Sequence, residues 1–136
     1  MTVIELARKS GVASHVVRYY TRRGLLHPVS NSGNGYKTYE HADVARLGFI
    51  RRAQSLGFTL KEIAHILAES SKGKSPCPMV REIVQQRIKE NRAELDEMVR
   101  LQRRMEKALV RWSEMPDGEP DGDSVCHLIE SVTGDV

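Results

Sequence analysis

The side chains with the most distinctive chemistry are two thiols and an imidazole: Cys77, Cys126 and His127. Thiolate sulfur and imidazole nitrogen are the donors that hold zinc, cadmium or lead, with a carboxylate or water completing the set. Carboxylates are at hand in Asp117, Glu119, Asp121 and Asp123, just ahead of Cys126. The same thiols could instead answer oxidants or electrophiles by joining in a disulfide. Spacing alone does not choose, because no CxxC pair occurs. Cys77 stands seven residues before Val84 and Cys126 opens an apolar run, so plain packing is a third reading of each.

A second constellation is basic and aromatic. Residues 1–76 carry a net charge of +7 and residues 77–136 carry −4, which together give the +3 of the whole chain. A basic front half points to a polyanion, most simply DNA or RNA. An ordinary basic surface would carry the same charge. It would not need two adjacent tyrosines after an arginine, as in Arg18-Tyr19-Tyr20. Catalysis is not expected. Gly33-x-Gly35 sits among turn residues and does not form a phosphate-binding loop, and no Ser/His/Asp order stands out. The basic half holds only five acidic residues, mostly at helix starts. No run of 18 apolar residues occurs, so no membrane span is expected. The first residues lack a basic segment followed by an apolar core, which makes the cytoplasm the expected location and free thiols the expected state of both cysteines.

The elements that must position these groups follow from periodicity and caps. Thr2 with Glu5 is a capping-box signature ahead of a short helix with Val3, Leu6 and Ala7 on its apolar face. Ser10-Gly11 breaks it, and Ser14 is a suitable N-cap for a second helix running to Arg23 and ending at Gly24. Two short helices across a tight turn form a helix-turn-helix, whose second helix enters the major groove with its N-terminal residues toward the bases. Those residues are Ser14, His15, Val16 and Arg18, with Val17 and Tyr20 facing inward and His15, Arg18, Tyr19 and Arg22 facing outward. Asn31 to Gly35 is dense in turn formers, and the Asn34-Gly35 pair suits a tight hairpin leading into a short strand, Tyr36 to Tyr39. Such a hairpin is a wing, from which Lys37 and the hydroxyls of Tyr36 and Tyr39 can donate to phosphates. A third helix is expected over Glu40–Ser55, with Val44, Leu47, Ile50 and Ala53 on one face. Thr59 with Glu62 opens a fourth that buries Ile63, Ile66 and Leu67. Residues 71–77 form a linker.

From Pro78 to Trp112 the chain has no internal Gly or Pro. Val84, Ile88, Leu95, Met98, Met105, Leu109 and Trp112 recur in steps of four and three, with Asn91 and Gln102 at the polar seam positions. That heptad predicts a helix roughly 50 Å long that buries its stripe against another long helix. The rest of the chain is too short to cover it, so a second copy is the expected partner. Beyond it lies an acidic Pro/Gly loop, then a short amphipathic helix over Val125–Glu130 and frayed last residues.

Val12 to Tyr20, Gly24-Leu25-Leu26, Asn34-Gly35-Tyr36-Lys37-Thr38-Tyr39 and Leu56-Gly57-Phe58-Thr59-Leu60-Lys61-Glu62-Ile63 together resemble the MerR family of bacterial transcription regulators, over residues 2–112. The resemblance implies a mostly α fold. A winged helix-turn-helix DNA-binding domain (1–70) and linker (71–77) would precede a long antiparallel coiled-coil dimerisation helix (78–112) and a short C-terminal effector-binding loop and helix (113–136). It implies a homodimer on promoter DNA whose spacer is overlong. Effector binding would let the dimer distort that DNA, reaching RNA polymerase indirectly through the promoter. Arg18 and Tyr19 would grip phosphates, His15 would lie against base edges or backbone, and Tyr36, Lys37 and Tyr39 would clamp from the wing. The chain departs from the family pattern at Thr21, where many members carry Glu, and at Gln54, where some carry Arg.

The resemblance also bears on the effector. In the metal-sensing branch, Cys at the start of the dimerisation helix goes with divalent ions, and Cys77 holds that position. The implied effector is therefore zinc, cadmium, lead or mercury, held by Cys77, Cys126 and His127 at the dimer interface. Trp112 stands where that branch usually has a further Cys. The alternative within the same fold is a thiol-based redox or electrophile sensor using Cys77 and Cys126. An organic ligand stacked on Trp112 ranks behind both, because about 24 residues are too few for the separate domain that multidrug sensors of the family carry.

Overall fold

A computed structural model describes residues 1–31 and 33–133. Ser32 of the turn cluster and the last three residues, part of the segment expected to fray, lie outside the described residues. The chain forms two compact units, Met1–Val80 and Arg81–Val136.

In the first unit, α1 (Val3–Ser10) starts with the Thr2 hydroxyl accepting from the Glu5 N–H at 3.2 Å and stops at Gly11, whose φ of 69° is a left-handed cap. Helix α2 (Ser14–Arg22) starts at the expected residue and ends one residue sooner, but its cap is shifted. Ala13 is its N-cap and makes no side-chain cap, so Ser14 lies in the first turn and does not cap it. The wing pairs β1 (Val29–Ser30) antiparallel to β2 (Lys37–Thr38), with Val29 opposite Thr38 and Ser30 opposite Lys37. The expected strand over Tyr36–Tyr39 is thus reduced to Lys37–Thr38. The connection is also longer than a two-residue turn. The Asn31 N–H donates to the Tyr36 carbonyl at 2.8 Å, and the Asn31 and Asn34 side chains accept from the backbone N–H groups of Gly33 and Tyr36. These side chains take up backbone donors that a short hairpin would have paired directly.

Helix α3 (Ala42–Ser55) starts two residues later than expected. Asp43 reaches back to the Glu40 N–H at 2.9 Å and holds Glu40 outside the helix. Helix α4 (Leu60–Ser71) has both halves of the capping box, with the Glu62 carboxylate accepting from the Thr59 N–H at 2.8 Å and the Thr59 hydroxyl accepting from the Glu62 N–H at 3.1 Å. The core is apolar: Leu6, Val17, Leu47, Ile50 and Ile63 are fully buried, joined by Leu25, Leu26, Phe58 and Ile66. Val3, Val44 and Leu67, expected on the same faces, are only half-buried at its margin. Helix α1 packs on α2 and α3, and α3 on α4. Two arginines fasten α3: Arg46 Nε donates to the Leu25 carbonyl at 2.7 Å and Arg51 Nη1 to the Ser10 carbonyl at 3.4 Å.

Helix α5 (Cys77–Trp112) runs unbroken for 36 residues, one residue longer at its start than the sequence suggests. No residue in it is buried. Its seam lies open in the single chain, with Ile88, Leu95, Met98, Met105 and Leu109 each more than half exposed. The C-terminal element contracts to α6 (His127–Glu130), with Cys126 as its N-cap. Among the described residues no helix is long and apolar enough to cross a membrane.

Leu47→Ala should lower stability by about 2–5 kcal/mol, as cavities in tight cores do, and Thr59→Ala by about 1 kcal/mol through loss of the cap. Denaturant unfolding of the two variants checks both values; equal losses would contradict the core described for α3.

Candidate nucleic-acid interface and thiol region

The basic surface is built on α2 and the wing. Helical spacing puts Val17 and Tyr20 into the core and leaves His15, Arg18, Tyr19 and Arg22 outward, as the sequence implies. Arg18, Arg22, Tyr36 and Lys37 line one open concavity of about 600 Å³, with Thr2 and Ile4 of the α1 start on its other side. Tyr36 is 72 % exposed. Tyr19 is partly exposed, with the Arg23 guanidinium 6.0 Å from its ring centre. Ser14 and Val16 are half-buried at the start of α2 and, with His15, do not line the concavity.

Tyr39 stands differently from the expectation of a free wing hydroxyl. Its side chain is 2 % exposed and forms part of the concavity floor. Its hydroxyl lies 2.7 Å from the Thr21 Oγ1, and Thr21 Oγ1 donates to the Val17 carbonyl at 2.9 Å. With the threonine proton committed to the carbonyl, the tyrosine is the donor in the first pair. The Tyr39 backbone also exchanges two bonds with Met1, at 2.6 and 2.7 Å. Its place therefore rests on core contacts, and it fixes the wing to α2.

The two departures from the family pattern both act on the interior of this surface. Thr21 is the relay just described. Gln54 Oε1 accepts the Tyr20 hydroxyl, tying α2 to α3. Burial pushes the Tyr20 phenol up, against the opposing effect of Arg51, so it remains protonated and serves as the donor. Sequence reasoning found both positions but not their partners.

Cys77 opens α5 and Cys126 is the N-cap of α6. Cys77 is exposed in the first turn of α5, with its N–H donating to Ser75 Oγ at 3.3 Å, and Cys126 is half-buried; both are free. Among the described residues no group of three or more His, Cys, Asp and Glu is placed to hold a metal. A single chain therefore does not assemble the three donors named from the sequence. His127 is fixed by the acidic loop: Nε2 is 2.8 Å from the Pro116 carbonyl, which makes Nε2 the protonated nitrogen and leaves Nδ1 as the lone-pair donor. The ring lies against Gly118, where an added Cβ would come within 2.8 Å of it.

The loop acids divide. Asp121 accepts from the Asp123 and Ser124 N–H groups at 2.7 and 2.8 Å. Glu130, not singled out in the sequence, accepts from Ser124 Oγ at 2.5 Å and the Val125 N–H at 2.9 Å. These bonds, the Ser124 hydroxyl foremost, hold its carboxyl below the ordinary carboxylate value. A depressed value means that the clamp is fully present above the ordinary carboxylate pKa and is lost as pH falls through the lower one. The Val125 amide resonance, followed by NMR from neutral pH into acid, should therefore show one step below the ordinary carboxylate range. Glu130→Gln should abolish that step; its persistence would refute the clamp.

Residues 1–70 match the profile described as MerR HTH family regulatory protein, and residues 44–108 match the one described as MerR, DNA binding. The HTH-type transcriptional regulator HmrR of Rhizobium leguminosarum bv. viciae is 34% identical over 135 residues, covering 98% of both chains. The mercuric resistance operon regulatory protein of Bacillus cereus is 33% identical over 113 residues, 83% of this chain and 86% of that one. Among solved structures, the transcription regulator PbrR691 of Ralstonia metallidurans CH34 in complex with lead(II) superposes with a TM-score of 0.75 at 25% identity, over 96% of this chain and 98% of that one. These are regulators and not enzymes, in keeping with the absence of catalysis expected from the sequence. The fold, the family profiles and the relatives agree: the chain belongs to the MerR family of helix-turn-helix regulatory proteins and is a DNA-binding transcription regulator.

Proposed function

We propose that the protein acts as a homodimer on promoter DNA and distorts an overlong spacer when a divalent heavy-metal ion (zinc, cadmium, lead or mercury) binds where the subunits meet. The observation that carries the DNA part is the grouping of Arg18, Arg22, Tyr36 and Lys37 around one concavity of the N-terminal unit. Guanidinium, ammonium and phenol donors on a concave face suit phosphate oxygens, which set the register of a helix in the groove. His15, with Ser14 and Val16 beside it at the start of α2, is left for base edges, and Tyr19 for a further phosphate. Tyr39 contributes by holding the wing.

Self-pairing is supported by the open apolar seam of α5, along which no residue is buried in the single chain. Antiparallel pairing would bring Cys77 of one subunit toward the acidic loop of the other. Two free thiols and the Nδ1 of His127 form a donor set of the right chemistry for a soft or borderline divalent ion. The mercury- and lead-related names of the relatives point the same way. The metal would supply cross-links between subunits. The chain's own part is to present Cys77 on a rigid helix and to orient His127 through Pro116 and Gly118. A site shared between subunits is sensitive to their arrangement, which is what a DNA-distorting switch requires.

Titration of the reduced protein with zinc, cadmium, lead and mercury should show tight binding of at least one ion, lost in both Cys77→Ser and Cys126→Ser. Thiolate-to-metal absorption reads the last three, and chelator competition reads zinc. Binding no tighter than to free thiols would sink the metal reading and turn attention to oxidant-driven linkage of Cys77 and Cys126.

On promoter DNA, Arg18→Ala should weaken binding uniformly across sequences and lower the salt dependence by about 1 ion per subunit. Band-shift titrations at several salt concentrations check this. Binding should persist with and without metal, and release of DNA on adding metal would contradict the proposed switch.

A further inference from the structure

Helix α6 is a single turn of four residues, with Cys126 as its N-cap and His127 as its first residue. So short a helix does not persist in water by itself, because nucleation costs more than one turn returns. Apolar packing does little for it, since Val125 and Ile129 are both more than half exposed. Polar bonds must hold it instead. The imidazole has such a bond to the Pro116 carbonyl. The Cys126 side chain makes no cap bond, which leaves the sulfur free but does nothing to place it.

The backbone on both sides of Cys126 is held by one residue, Glu130. Before the cysteine, Glu130 Oε2 accepts from the Val125 N–H at 2.9 Å. After it, the Glu130 N–H donates to the Cys126 carbonyl at 3.0 Å. Glu130 Oε1 accepts from the Ser124 hydroxyl at 2.5 Å. Ser124 is anchored in its turn: its N–H donates to Asp121 Oδ1 at 2.8 Å, and its carbonyl accepts from the Asp121 N–H at 3.0 Å. Both carboxylate oxygens of Glu130 are thus committed to the chain through charge-assisted bonds. That arrangement suits a support behind a metal ligand and not the ligand itself.

We propose, on the reading that Cys126 binds a divalent ion, that Glu130 is the positioning residue for its thiol: it bridges the backbone around Cys126 and so presents the sulfur in one place. Ordering a ligand before the ion arrives removes a cost that binding would otherwise meet, so affinity falls when the support is lost. Glu130 needs no contact with the metal. The two donors of this segment are then placed by separate means, the imidazole through Pro116 and the thiol through Glu130.

Cadmium binding to the reduced full-length protein is measured by competition with a chelator. Glu130→Ala should weaken it about tenfold or more, the usual cost of losing such a support. Ser124→Ala should weaken it less, because the Val125 bond survives. Glu130→Gln, which keeps an acceptor for the Val125 N–H, should recover part of the loss. Glu114→Gln makes the same change of charge outside the clamp and should leave affinity unchanged. Metal-free protein supplies a second readout. With Cys77→Ser the one remaining thiol is Cys126, and adding Glu130→Ala should speed its reaction with an aromatic disulfide reagent. Circular dichroism, dominated by α5, confirms that the variants fold. Tight cadmium binding that Glu130→Ala leaves unchanged would overturn the positioning role while the metal reading stands. An equal loss in Glu114→Gln would also overturn it, as an effect of charge alone. So would a loss in both Glu130 variants with none in Ser124→Ala, because Glu130 would then be a ligand. If the wild type binds no ion, the metal reading falls by itself, and an unchanged thiol rate in Glu130→Ala overturns the positioning role independently.

Discussion

The basic surface of α2 and the wing depends on a buried tyrosine. Tyr39 carries the wing's last residues into the core, and its hydroxyl runs through Thr21 to the Val17 carbonyl in the middle of α2. A wing with two paired residues per strand cannot hold its own position, since isolated two-stranded hairpins are marginal in water. What fixes Lys37 and Tyr36 beside Arg18 and Arg22 is therefore a short polar relay inside an apolar core. Tyr20 and Gln54 do the same between α2 and α3. Both relays run through a neutral group, the Thr21 hydroxyl and the Gln54 amide, where a carboxylate or guanidinium would have brought a charge, so the interior of this surface stays neutral while its face stays basic.

Helix α5 imposes the second constraint. It contains no buried residue, yet its apolar seam keeps a step of four and three from Val84 to Trp112. Its charges are also sorted along its length: carboxylates are frequent up to Glu97, and cations dominate from Arg100 to Arg111. A helix whose two halves differ in sign pairs more favourably head to tail than in parallel, because parallel pairing sets like against like. The seam thus calls for a partner helix, and the charge gradient favours an antiparallel one.

Much of this was legible in the sequence because it is local or periodic. The inward placement of Val17 and Tyr20, the Thr59–Glu62 cap and the long seam each depend on residues within a turn or on a fixed repeat. The failures share a different character. Ser14 looked like a cap because its residue type suits one, but the backbone bends into the helix at Ala13. Tyr39 looked like a surface hydroxyl because strand alternation says which side a residue faces, not whether that side is the core. The Tyr39–Thr21 and Tyr20–Gln54 pairs span 18 and 34 residues, and no periodic pattern encodes a polar contact at that separation. Glu130 escaped notice because its role lies in accepting backbone and hydroxyl donors, which leave no spacing signature.

The acidic loop has one more property, set by the contact of Gly118 with the His127 ring. Most of the loop is exposed polar chain whose side chains can be exchanged with little effect on packing. Position 118 is different, since any side chain there meets the imidazole before it meets water. Sequence drift at this point is therefore limited by space alone, and the room left for the His127 ring is kept by a residue that has no side chain at all.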